Sequence, residues 1–336
     1  MLKFFRRVFG LRSRTDRATK TVEPDSNLEA WDSSPNDWIE PAISIAESEL
    51  DLTDLPAVAG TFARQIVRDA MADQLELPIM PELALMVRRK SLDPGSSAAD
   101  LTLIIQTDIA ITTKLIQVAN SPLYRGYEPI QSLNEAIARI GMIAVRDIVT
   151  GLAIKQMFVT EQPRLRRRMR DLWEHSARVA ANCSVLARHQ GGFDPEQALL
   201  AGLVHDIGEL AIIKYADAFS PSELSDESLA RTIKLLGAKL GAVMLRQWKL
   251  DDELVFAALH ADAFDRASES VVRLVDLVQV AQLHLLSNAP QTEVPNITQL
   301  SVVKNLGLDL DESGRGFALL SGARQDVEQV RAALAI

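Results

Sequence analysis

One cysteine in 336 residues, Cys183, excludes an intramolecular disulfide framework and a cysteine-rich zinc module, and fits a reducing compartment. Long apolar runs are missing as well. None approaches the ~18 residues that a membrane span requires, and residues 1–20 lack the apolar core and cleavage site of a secretory signal. The chain is expected to be cytoplasmic. Sustained two-residue alternation, the mark of half-buried strands, is also absent.

What is present is a 47% hydrophobic chain, long enough to bury a full core, with a net charge of −9. That charge is unevenly placed. Residues 1–20 carry Lys3, Arg6, Arg7, Arg12, Arg14, Arg17 and Lys20 against Asp16 alone, which leaves a net −15 on the other 316 residues. An acidic body argues against nucleic acid as a partner. The arm interleaves its cations with Leu2, Phe4, Phe5, Val8, Phe9 and Leu11. That pattern predicts weak, reversible contact with an anionic inner-membrane surface, each basic residue contributing about 1 kcal/mol at best. A solvated arm is the alternative.

Residues 21–54 are acidic and rich in Ser, Pro and Asp, a composition suited to a linker, with Trp31 and Trp38 free to dock on the body. Beyond Leu55 the apolar residues recur at three and four, as in Val58, Phe62, Ile66, Val67, Ala70 and Met71, so the fold class is all-α with about a dozen helices. Ser132 with Glu135 predicts a capping box, Asp194-Pro195 an N-cap with proline in the first turn, and Ser225 a cap for the helix running to Trp248. A basic segment from Pro163 to Arg170 reads as a hinge between two halves; its five arginines suit a solvated face or an acidic or phosphate-rich ligand. The resulting division is an arm (1–20), a linker (21–54), a first helical bundle (55–160), a second helical half (161–289) and a C-terminal helical tail (290–336).

Several motifs carry a resemblance. Leu77-Pro78-Ile79-Met80-Pro81, the stretch Asp108 to Thr113, Ala119-Asn120-Ser121 and the run Ile130 to Gly141 resemble the HDOD family, a bacterial signalling output domain related to the HD metal-dependent phosphohydrolases. Read physically, Asn120, Ser121 and Pro122 stop a helix and Ser132 starts the next, which makes these residues architectural. The second half carries the HD-like portion: His175, the pair His205-Asp206 set within an apolar helix, and Asp276. In active HD enzymes such a set ligates one or two divalent metals that lower the pKa of a bound water and clamp phosphate oxygens. Adjacent ligands on one helix stand about 100° apart.

The chain also departs from the HD pattern. Gly237 lies where further histidines are common, Leu259-His260-Ala261-Asp262 keeps one histidine of a pair, and Glu209 replaces a frequent lysine; the Gly-Tyr-Pro signature of cyclic di-GMP phosphodiesterases is missing. His175, His205, Asp206 and Asp276 are therefore either a metal set or a vestigial polar cluster, and no organic cofactor is expected. The resemblance implies a regulatory output module acting through a signalling protein partner without catalysis. A metal-dependent phosphohydrolase acting on a nucleotide or cyclic dinucleotide, and a nucleotide sensor with a degenerate pocket, stay open. Cys183, on a stripe with Val179 and Leu186, reads as core.

Overall fold

A computed structural model describes residues 47–53, 60–124, 126–266, 271–288, 296–314 and 316–334. The basic arm and residues 21–46 and 54 of the acidic linker, with Trp31 and Trp38, lie outside the described residues; residues 47–53 are not free linker, since Leu50 and Leu52 are buried in the core and Lys239 donates to the Asp51 carbonyl at 2.7 Å. Fifteen α-helices run in order among those described. They are α1 (Thr61–Met71), α2 (Glu82–Ser91), α3 (Ala98–Ile105), α4 (Ile109–Ala119), α5 (Leu133–Ile140), α6 (Met142–Lys155), α7 (Pro163–Gln190) and α8 (Pro195–Val204). There follow α9 (Ile207–Ala216), α10 (Asp226–Gln247), α11 (Asp252–His260), α12 (Leu274–Ser287), α13 (Ser301–Leu306), α14 (Ala318–Gly322) and α15 (Arg324–Leu334). No helix among the described residues is long and apolar enough to cross a membrane.

The helix starts are where the cap residues put them. Ser132 and Glu135 form a reciprocal capping box at α5, Asp194 accepts N–H groups of Glu196 and Gln197 at α8, and Ser225 caps α10. Asn120 acts through its side chain: its amide donates to the Ile130 carbonyl at 2.8 Å and accepts the Ile130 N–H at 2.9 Å. That two-bond clamp ties the end of α4 to the segment that starts α5. Gly141, with φ of 90°, joins α5 to α6 in a conformation that costs an L-residue steric strain.

The two halves share one apolar core. Helix α6 packs on both α2 and α8, and α1 packs on α10. The Trp248 indole donates to the Pro78 carbonyl at 3.1 Å, which locks the Leu77–Pro81 segment onto the end of α10. Tyr124, after α4, donates to Glu196 of α8, which also accepts from Arg188 at 2.9 Å. The basic segment is not a hinge: Pro163 to Arg170 forms the first turns of a continuous 28-residue helix, α7. Proline at its first position needs no N–H partner, and Arg164 donates to the Phe219 and Leu224 carbonyls, so those turns are anchored on the second half. Residues after 296 form short helices that return to the body, with α15 against α7. Lys114 of α4 donates to the Ala332 carbonyl at 3.0 Å.

Candidate metal centre

Two glycines place the histidines. A side chain at Gly202 would put a Cβ 2.6 Å from the Ala180 nitrogen, so α8 crosses α7 backbone to backbone. A Cβ at Gly208 would lie 2.5 Å from the Gly241 nitrogen and closer still to the Gly237 carbonyl oxygen, so α9 crosses α10 in the same way. His205 and Asp206 stand between these two contacts. They occupy the turn that joins α8 to α9, not the interior of one helix as the apolar run suggests. The His205 ring explains the break: Nδ1–H donates to the Gly202 carbonyl at 2.8 Å, taking an acceptor at the end of α8. Close approach of α8 to α7 then brings His205 against His175.

Three donor atoms converge. His205 Nε2 lies 3.0 Å from Asp206 Oδ2 and 3.3 Å from His175 Nε2, and His175 Nε2 lies 3.5 Å from the same Asp206 oxygen. With Nδ1 of His205 committed as a donor, a neutral ring would aim the Nε2 lone pair at a carboxylate. Something positive must stand between them. A proton is one answer: burial opposes it, but the charge and hydrogen bond of Asp206 outweigh burial and raise the His205 pKa. His175 goes the other way, lowered to about 4 by burial and then by His205, so its ring is neutral, and in the Nδ1–H tautomer its Nε2 offers a lone pair.

A divalent ion is the other answer, and the spacing suits it. Ligand atoms roughly 2.1 Å from an ion stand about 3.0 to 3.4 Å apart in octahedral or tetrahedral shells. The separations here, 3.0, 3.3 and 3.5 Å, lie within or just beyond those edges, and all three donor atoms lie within 4.8 Å of one another. Two imidazoles with a carboxylate also form a set that zinc, manganese or iron accept. His175, His205 and Asp206 would hold the ion, which would supply Lewis acidity and an acidic bound water. Because the ion competes with the His205 proton, binding should weaken as pH falls.

Asp276 stands outside this cluster. It is almost fully buried at the start of α12, where it accepts the Arg273 N–H at 2.7 Å and an ion pair from Arg266. Other acids face the triad instead. Asp262 is raised in pKa by burial and then by the charge of Asp206, and Glu209 is raised to about 7 by the same two causes. His175, Asp206 and Glu209 also line an open cleft of about 510 Å³ with the basic start of α7, where Arg164 and Arg167 are paired with Asp226 and Asp171 and Arg168 has no carboxylate within ion-pair distance among the described residues. Arg168 precedes His175 by seven residues, two helical turns, which puts both on one face of α7. Cys183 is buried, and burial pushes its thiol up, as a core residue requires.

The raised Glu209 carboxyl has a measurable consequence. Its folded pKa lies above the unfolded value, so its contribution is fully present below about pH 4.5 and is lost as pH rises through about 7. In metal-free protein, Glu209→Gln should melt near the parent at pH 4.5 and above it at pH 8. Parallel melting temperatures at both pH values would contradict this environment for Glu209.

A family model described as the HDOD domain matches residues 77–264, more than half of the chain. The chain belongs to the HDOD family. A structure from Shewanella amazonensis SB2B, provisionally described as a metal-dependent phosphohydrolase, is similar to it with a TM-score of 0.71 and 24% identity, over 82% of this chain and 99% of that one. An HDOD domain protein with unknown function from Geobacter sulfurreducens has a TM-score of 0.56 and 20% identity, over 80% of this chain and 96% of its own. Both likenesses show the HD/HDOD helical fold. An uncharacterised protein of Treponema pallidum (strain Nichols) is 21% identical over 244 residues, and the chain spans 46% of that relative's length.

The HDOD match covers α2 to α11 and both histidines of the triad, but ends before Asp276. Sequence reading named a quartet, His175, His205, Asp206 and Asp276, of which the structure brings together the first three and pairs the fourth with Arg266, and it flagged Glu209 as unusual. It did not bring Arg168 to the site, although a spacing of two turns from His175 was the available signal. Nor did it find Arg266 as the partner of Asp276.

Proposed function

We propose that this HDOD chain is a regulatory output module that binds one divalent ion and a phosphate-bearing ligand in the same cleft, and passes that state to a protein partner. The observation that carries this reading is the convergence of His175, His205 and Asp206 on a gap of ion size, opening on a cleft that Arg168 also lines. Arginine is suited to phosphate because its planar fork offers paired N–H donors at fixed charge. The ion would meet the phosphate oxygens from one side and Arg168 from the other. Membership of a signalling output family supports the regulatory role, and Asp276 supports sensing over turnover. Neutralised by Arg266, that acid leaves three protein ligands and one ion, without the second metal that clamps a leaving group in two-metal hydrolysis.

Glu209 favours a second reading, hydrolysis of a nucleotide or cyclic dinucleotide. A carboxyl that stays protonated up to about pH 7 beside Asp206 has the properties of a general acid. One experiment separates the two. Full-length protein with Mn²⁺ is mixed with nucleoside mono-, di- and triphosphates and with cyclic dinucleotides, and both melting temperature and products are followed. Sensing predicts stabilisation, about 2.7 kcal/mol at 100 times the dissociation constant, with the ligand recovered intact. Multiple turnover abolished by Glu209→Gln would establish the second reading, and neither binding nor turnover would overturn both.

A further inference from the structure

A second cavity, of about 400 Å³, lies further along α7, between that helix, α12 and the C-terminal α15. Two of those three helices lie beyond the HDOD match, which ends at residue 264. Helix α7 contributes Arg178 and Asn182, which continue the face of His175 at steps of three and four. Helix α15 contributes Arg324, Glu328 and Arg331, also on one face, and α12 contributes His284.

Three features mark this cavity as a built site. Asn182 is 2% exposed, yet its Nδ2 has no hydrogen-bond partner. A buried amide left unsatisfied costs about 1–3 kcal/mol, an expense that a leucine of similar shape would avoid. Charge is unbalanced as well: Glu328 is taken by Arg331 at 2.7 Å, while no carboxylate among the described residues pairs with Arg178 or Arg324. Finally, His284 is fixed as a donor. Its Nδ1 accepts the Phe317 N–H at 3.2 Å, which leaves the proton of the neutral ring on Nε2.

We infer that this cavity binds a small phosphate-bearing anion, held by Arg178 and Arg324 with Asn182 and the His284 Nε2–H as neutral donors. The two arginines and the His284 Nε2–H are donors only, and the Asn182 amide adds a donor beside its acceptor oxygen, so an anion with several acceptor oxygens satisfies the set better than a cation does. The volume exceeds a bare phosphate and suits a ligand of mononucleotide size, with apolar side chains of α12 and α14 as a wall for its uncharged part. Since α15 supplies one side of the cavity and is also held by Lys114 of α4, occupancy would fasten the C-terminal helix to both halves of the fold. This inference is independent of the metal centre.

The test is calorimetric titration of metal-free, full-length protein with inorganic pyrophosphate and with AMP. The parent and His205→Ala should bind at least one of the probes saturably with the same affinity, and Arg324→Ala and Asn182→Leu should each weaken it by about tenfold or more. Asn182→Leu should also melt no lower than the parent, because it removes an unsatisfied buried donor. A merely structural asparagine would show the opposite, a lower melting temperature with binding intact. No saturable binding of either probe to the parent, binding retained in both pocket variants, or binding abolished by His205→Ala would each overturn the inference.

Discussion

Gly208→Ala is expected to destabilise the protein by at least about 3 kcal/mol, against the 1–3 kcal/mol usual for an overpacked core. The added methyl group meets backbone, the Gly237 carbonyl and the Gly241 nitrogen, and neither can rotate aside as a side chain would. Relief requires α9 to lift from α10, which would also move Asp206 at the start of α9. Gly237→Ala is the matched control. Its Cβ would stand 3.9 Å from the nearest atom, the flexible Glu209 Cγ, in the interior of α10. Stability there should be unchanged or raised by up to about 1 kcal/mol, the helix-propensity difference between glycine and alanine. Urea unfolding of the three proteins measures both. A Gly208→Ala loss below about 1 kcal/mol, or equal losses in the two variants, would refute the backbone contact as the reason for glycine at position 208.

Arg266→Ala should cost about 3–5 kcal/mol, the penalty for stranding one partner of a buried ion pair. Asp276, with a side chain only 2% exposed, would lose its cation and retain only the hydrogen bonds that fit it. The stacking of the Arg266 guanidinium over Phe256, 5.6 Å from the ring centroid, would go as well. Asp276→Asn in the Arg266→Ala background should restore part of the loss, because the buried charge is removed while an oxygen remains to accept the Arg273 N–H. The double-mutant cycle from urea unfolding gives the coupling directly. Strictly additive costs would mean that Arg266 and Asp276 do not form the pair described above.

Much of this architecture is legible in the residues. Spacing at three and four gives the helices, and Ser132, Asp194 and Ser225 mark the starts of α5, α8 and α10 because each cap satisfies N–H groups within its own first turn. The readings that differ all turn on tertiary contacts. His205 and Asp206 sit in an apolar run that reads as one helix, and only the bond from His205 to the Gly202 carbonyl and the glycine-mediated crossings end it there. Pro163 to Arg170 reads as a hinge from its charge, yet Arg164 spends its donors on carbonyls beyond α9, sixty residues away in the case of Leu224. The fate of Asp276 depends on Arg266 from the preceding loop. The Asn182 cavity needs α15, whose sequence carries no motif pointing back to α7.

Metal content per chain, measured by mass spectrometry on protein purified without chelator and then dialysed against Mn²⁺ or Zn²⁺, tests the central claim most directly. The parent should hold one ion, His205→Ala and Asp206→Asn none, and Asp276→Asn one, since Asp276 belongs to Arg266 and not to the ion. No stoichiometric ion in the parent, or an ion retained by both His205→Ala and Asp206→Asn, would contradict it and leave His175, His205 and Asp206 as a buried proton-sharing cluster that only holds helices together.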